Sequence, residues 1–113
     1  MEKVKDLDIG LVVLNAGVAN FGYMDEVESI KLQEMIDTNV YQYGALLNKF
    51  SPILMKRKSK SGMITLSSIA AQFSMPQNTV YGATKVFVKY LTMSASDEMS
   101  RQEDGKKIDL LSL

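Results

Sequence analysis

The chain has 113 residues, and its 13 basic and 13 acidic side chains cancel, so no net field favours nucleic acid or an anionic membrane. Its 46% apolar and 23% charged content is that of an ordinary globular protein, and the length supports one domain. It has no cysteine and no histidine, which excludes disulfides, thiolate and imidazole metal sites and any Ser-His-Asp triad; no metal is expected.

Acid–base chemistry near neutral pH therefore falls to tyrosine, lysine or a carboxylate. The segment Met1–Asp6 is charged, and no signal-type apolar core follows it. The longest apolar runs, such as Ile9–Leu14, fall far short of the ~20 residues of a membrane span. Together these features leave the compartment open and favour the cytoplasm.

Asp8–Leu14 is a short, β-branched apolar run ending in the turn signal Asn15-Ala16-Gly17. It predicts a strand buried on both faces, as in a parallel sheet. A loop through Asn20-Phe21-Gly22 follows. Asp25 or Ser29 is expected to cap a long amphipathic helix from about Ser29 to Lys56, with Pro52 kinking it near its end. Its apolar positions run Ile30, Leu32, Met35, Ile36, Val40, Tyr43, Leu46, Leu47, Phe50, Ile53 and Leu54, at spacings of three and four. Tyr41 and Tyr43 read as helix-packing residues. The run Lys56-Arg57-Lys58 suits a helix C-terminus and is too short for a nucleic-acid patch.

Ser59–Gly62 predicts a turn and Met63–Ser68 a second strand whose apolar run stops at two hydroxyls. A loop with Pro76 leads to a second long helix, Tyr81 to about Ser100, with Val86, Phe87, Tyr90, Leu91 and Ala95 on its packed face. After a polar link, Ile108–Leu113 predicts a third strand. The order β-α-β-α-β implies a parallel sheet with right-handed crossovers, whose functional groups gather at the C-terminal strand ends.

Tyr81 and Lys85 stand four residues apart, on one face of the second helix. An ammonium beside a phenol favours the phenolate, and such a phenol can exchange a proton with a carbonyl or alcohol oxygen. By itself such a pair is more often two packed stems on a surface. Asn15-Ala16-Gly17 can likewise be a tight turn, Ser67 and Ser68 strand terminators, and Asn39 a helix asparagine packed on a loop.

Four motifs in order resemble the short-chain dehydrogenase/reductase family. They are Leu14-Asn15-Ala16-Gly17 for the strand-end N-N-A-G, with its first Asn replaced; Asn39 in Asp37-Thr38-Asn39-Val40; Ser68, thirteen residues before Tyr81; and Tyr-x-x-x-Lys at Tyr81 and Lys85. The wording of Tyr81–Phe87 looks like the hydroxysteroid dehydrogenase and 3-oxoacyl-CoA reductase branch.

The resemblance implies an α/β fold, a partial Rossmann-like parallel sheet (β-α-β-α-β), forming a single partial domain over residues 1–113. It implies an NAD(P)(H)-dependent ketone/alcohol oxidoreductase acting on a small carbonyl or alcohol substrate. Tyr81 would be the acid or base, Lys85 its electrostatic partner and a ligand of the nicotinamide ribose, and Ser68 the holder of the substrate oxygen. Asn39 would anchor a proton-relay water. Asn15, Ala16 and Gly17 would run close to the cofactor.

The family's glycine-rich T-G-x-x-x-G-x-G turn, which cradles the pyrophosphate, has no match here. The N-terminal dinucleotide-binding half is thus absent from these residues, and the chain alone is expected to be inactive. The edge of the Asp8–Leu14 strand is expected to stand open. The resemblance also suggests a homo-oligomer through the two long helices, or pairing with a complementary chain. The alternative is a non-catalytic interaction or structural module.

Overall fold

In the computed structural model, which describes residue 4 and residues 6–113, three strands run parallel in the order β1-β2-β3. They are β1 (Leu11–Leu14), β2 (Ser61–Thr65) and β3 (Ile108–Ser112). Val13 pairs with Ile64, and Ile64 with Leu111, which fixes the register across the sheet. The helical segments between β1 and β2 are α1 (Ser29–Ile36), a π turn (Asp37–Tyr41) and α2 (Gln42–Met55). The crossover from β2 to β3 is α3 (Thr79–Ser100).

Side chains alternate across a strand, so two different faces result. On one, Leu14 and Met63 join Tyr43, Leu47 and Leu54 of α2, Val88 and Met99 of α3, and Ile108, with Val12 and Leu110 packed against them. Both long helices therefore cover the same side of the sheet. Thr65 and Thr92 join strand to α3 inside this layer through a buried hydroxyl pair at 2.7 Å. The other face carries Leu11, Val13 and Leu111, each more than half exposed. The expectation of a first strand buried on both faces is corrected: one helix layer covers one face. The shortest dimension, 16 Å, is that of two layers. β1 pairs with β2 alone, so its outer edge is open among the described residues, as anticipated.

Element boundaries differ from those predicted. β1 starts at Leu11, although the Gly10 carbonyl already accepts from Gly62 N at 2.9 Å. β2 begins two residues early, at Ser61, because Ser61 turns inward and donates to the Leu54 carbonyl at 2.9 Å. It ends at Thr65, leaving Ser67 and Ser68 beyond the strand. α1 starts without a side-chain cap: Glu28 is the cap residue and Ser29 is already helical. Pro52 lies inside α2, three residues before its end. α3 starts at Thr79, so Tyr81 is its third residue.

The predicted packed face of α3 is corrected in part: Leu91 and Ala95 do pack against the core. Thr84, Lys85, Val88, Thr92 and Met99 are buried, while Val86, Phe87 and Tyr90 face outward, Tyr90 at 72% exposure. The inner stripe is chosen by polar partners, Thr65 for Thr92 and Leu66 for Lys85, so apolarity alone misplaces it. Tyr41 is exposed for a related reason: it ends the π turn on the outer side.

Candidate active site

Past Thr65 the chain keeps to the strand path. Leu66 N donates to the Leu14 carbonyl at 2.9 Å, and Ser67 N to that of Leu113 at 2.6 Å. This extension brings the Leu66 carbonyl and the hydroxyls of Ser67 and Ser68 to the C-terminal mouth of the sheet. There α3 supplies Lys85, only 4% exposed. Its Nζ donates to the Leu66 carbonyl at 2.9 Å, while Ser67 Oγ donates to the Lys85 carbonyl at 2.8 Å. Two bonds thus tie one turn of α3 to one strand end.

The ammonium lies 5.6 Å from the ring centre of Tyr81 and 5.5 Å from that of Tyr43, within the range of cation–π attraction. Burial strips it of water and holds its pKa below the ordinary lysine range. An ammonium has three donors. One meets Leu66, so the group retains donor capacity for a ligand. Tyr43, buried on α2, has its phenol pushed up from the usual value, first by burial and then by the charge of Tyr81. Its hydroxyl donates to the same Leu66 carbonyl at 3.4 Å.

Asn39 sits inside the π turn and is fully buried. Its Nδ2 donates to the Val18 carbonyl at 2.8 Å and to Thr84 Oγ1 at 3.0 Å, and its Oδ1 accepts from Val18 N at 2.9 Å. Thr84 in turn donates to the Tyr81 carbonyl at 2.7 Å. One amide therefore locks the loop after β1 onto the first turns of α3. The π turn, marked by Gln42 N donating to the Asp37 carbonyl, adds a residue to the helix where Asn39 stands.

Gly17 passes over this cluster. A Cβ there would lie 3.2 Å from Lys85 Nζ and 3.4 Å from Asn39 Oδ1, the former closer than ordinary contact, so a side chain would crowd the ammonium and the amide. Asn15 and Ala16 line a cavity of about 90 Å³ with Gln42, Tyr43 and Leu46, on the Tyr43 side. Ser68 caps the short 3₁₀ turn Ile69–Ala71. Its Oγ accepts from Ala70 N at 3.1 Å, which leaves its own O–H to donate.

Of the sequence-predicted residues, Gly17, Asn39, Tyr81 and Lys85 thus share one cluster. Ser68 follows directly on the strand end that holds Lys85. Sequence reasoning missed Thr84, the Ser67 tie, the Leu66 carbonyl and the placement of Tyr43. A threonine three residues after Tyr81 was the one available signal, since such hydroxyls bond back along a helix. A backbone carbonyl gives no signal at all. No helix among the described residues is long and apolar enough to cross a membrane.

A parallel sheet with a buried lysine beside a tyrosine at its C-terminal mouth makes this an α/β protein with its polar cluster at the strand ends. The family model described as short chain dehydrogenase matches residues 1–108, and the chain belongs to that family. It is 30% identical over 93 residues to a serine 3-dehydrogenase of Agrobacterium fabrum, covering 81% of this chain and 36% of that one. It is 27% identical to a very-long-chain 3-oxoacyl-CoA reductase of Macaca fascicularis, over 81% of this chain and 30% of the relative. It is 26% identical to the inactive hydroxysteroid dehydrogenase-like protein 1 of Homo sapiens, over 86% of this chain and 30% of the relative. These last two lie in the branch suggested by Tyr81–Phe87.

Among solved structures, a short-chain dehydrogenase/reductase of Burkholderia phymatum in complex with NAD superposes with a TM-score of 0.82 at 22% identity, over 90% of this chain and 36% of the other. An alcohol dehydrogenase of Thermococcus sibiricus complexed with 5-hydroxy-NADP gives 0.84 at 20% identity, over 98% and 44%. The chain spans about a third of the length of the curated relatives it matches.

Proposed function

We propose that these 113 residues are a single partial Rossmann-like domain, the catalytic half of an NAD(P)(H)-dependent enzyme that interconverts ketones and alcohols. The observation that carries this is the buried Lys85 ammonium, held on a strand-end carbonyl beside Tyr81 and beneath Gly17. A buried charge is costly, and no carboxylate among the described residues pairs with it.

The residues fit the nicotinamide-ribose end of the implied cofactor. Gly17 leaves room that a Cβ would fill, and Lys85 keeps donors that suit ribose hydroxyls. They do not fit its pyrophosphate: α1 and α3 open after Glu28 and Asn78, with no glycine-rich turn at either N-terminus. That half would come from outside these residues, in the same protein or in another chain.

When bound, the nicotinamide supplies or takes the hydride. Tyr81 donates its phenolic proton to the carbonyl oxygen in reduction and recovers it in oxidation. Ser68 offers its free O–H to the same oxygen, a bond that strengthens as negative charge builds there. Lys85 keeps a positive charge beside the phenol. Asn39 fixes the loop that carries Gly17 and, with water, connects Lys85 to solvent. The outward faces of the long helices, with Tyr41, Val86 and Tyr90, suit contact with a second copy.

The test has two parts. The purified chain alone should not bind NADH or NADPH at micromolar concentration. Combined with a complementary dinucleotide half, it should reduce ketones, and Tyr81→Phe should then lower turnover on the order of 10²–10⁴-fold while cofactor affinity holds. Unchanged turnover in Tyr81→Phe would remove the acid role. The bare sheet face and open β1 edge favour a second reading, a non-catalytic partner-binding module; a relative named as inactive is in keeping with it. Failure to gain activity with any dinucleotide half would point there.

A further inference from the structure

Tyr43 has no part in the mechanism above, yet it is among the most deeply buried large side chains, 1% exposed. Packing alone would ask only for an apolar body of that size. Instead the Lys85 ammonium lies 5.5 Å from the Tyr43 ring centre and 5.6 Å from that of Tyr81, so the charge stands against two aromatic rings. The Tyr43 hydroxyl reaches the Leu66 carbonyl at 3.4 Å, the acceptor that Lys85 Nζ occupies at 2.9 Å. Phenol and ammonium thus converge on one oxygen.

We propose that Tyr43 is a positioning residue: with the Tyr81 ring and the Leu66 carbonyl it forms a clamp that holds the Lys85 ammonium against the catalytic phenol. The role rests on the assignment of Tyr81 and Lys85 as the proton-handling pair, but the clamp is testable without turnover. Burial keeps Tyr43 a neutral phenol, so it supplies an aromatic face and a donor rather than a counter-charge or a second acid. The ring does most of the holding, since the hydroxyl contact is long. The titratable groups against the ammonium are Tyr43 and Tyr81; Leu66, Asn39 and Gly17 complete its surroundings.

The experiment is NMR on the full chain carrying ¹³C-labelled lysine, with the Lys85 signal identified by its loss in Lys85→Met. In the unmodified chain the Lys85 Hε protons should show cross-relaxation to both the Tyr43 and the Tyr81 rings, and Lys85 should titrate below the other lysines. Tyr43→Phe, which keeps the ring, should preserve the Tyr81 contact. Tyr43→Leu should lose it and return the Lys85 midpoint toward the other lysines, because the ammonium is released to solvent. A Tyr43→Leu chain with the Tyr81 contact and midpoint unchanged overturns the proposal. If that variant does not fold, the unmodified chain decides: absence of the Lys85–Tyr43 contact overturns it. The two ideas fail separately. Turnover that survives Tyr81→Phe removes the mechanism and leaves the clamp signals in place, whereas missing clamp signals leave the Tyr81→Phe result untouched.

Discussion

Asn39→Ala is the substitution whose cost follows most directly from the structure. The amide makes three hydrogen bonds, two to the Val18 backbone and one to Thr84, from a fully buried position. Each such bond is worth roughly 1 kcal/mol net, and a buried group left unpaired costs about 1–3 kcal/mol. Val18 is partly exposed, so water can replace some of what it loses; Thr84 is buried and keeps only its own bond to Tyr81. A loss of about 2–4 kcal/mol is expected. For a domain of this size that lowers Tm by roughly 8–17 °C. Urea unfolding followed by circular dichroism measures it, with Gln33→Ala as control. That change removes one exposed helix-surface bond to Asp37 and should cost less than about 0.5 kcal/mol. If Asn39→Ala matched the control, the loop after β1 would not be held by this amide.

Two further outcomes are expected. Lys85 has a lowered pKa in the fold, so between that value and the ordinary lysine value near ~10.4 the unfolded chain binds the extra proton. Below that window the charged group is desolvated at full cost, and stability contributed by Lys85 rises as pH climbs through it. The stability difference between the unmodified chain and Lys85→Met should therefore shift in favour of the unmodified chain from neutral to alkaline pH. The comparison is read below ~10, where Tyr43, whose raised pKa acts oppositely, stays neutral in the fold; a pH-independent difference would refute the shift. On the bare sheet face, the double variant Val13→Lys, Leu111→Lys should reduce concentration-dependent association by light scattering, because both side chains stand on the uncovered side. Equal association would mean that the chain sticks elsewhere.

How much of this was legible varies by element. The succession β-α-β-α-β and the parallel crossovers followed from short apolar runs separated by stretches of helical periodicity, which record burial on a scale of many residues. The packed face of α3 did not, because Thr84, Lys85 and Thr92 are held inside by hydrogen bonds that hydropathy counts as reasons to face water. The proposed site residues Asn15, Ala16, Gly17, Asn39, Ser68, Tyr81 and Lys85 could all be named from the motif resemblance. Their supports could not: the Leu66 carbonyl has no sequence signature, and the π turn at Asn39 depends on contacts with a loop twenty-one residues away. The inward turn of Ser61 was hidden for the same reason, since its partner is a helix-end carbonyl.

The supports also explain why the cluster can persist although one sheet face is bare. Lys85 is fixed by Leu66 through its ammonium and by Ser67 through its carbonyl, both on the extension of the central strand β2. That strand is paired on both sides, and Met63 and Thr65 point into the helix layer, where they are fully buried. The loop bearing Gly17 is tied through Asn39 to α3 rather than to the outer edge of β1. Fraying of β1 would therefore loosen Asn15 and Ala16 before it reached Lys85. Local opening free energies increase from edges to paired interiors. Amide exchange should accordingly be fast in Leu11–Leu14 and at Leu66, whose N–H is bonded to the Leu14 carbonyl, and slow at Ser67, bonded toward β3, and in the second turn of α3. The proposed proton-handling groups sit on the slow side of that divide, and Asn15 and Ala16, proposed to run close to the cofactor, sit on the fast side, while Gly17 is held with α3 through Asn39.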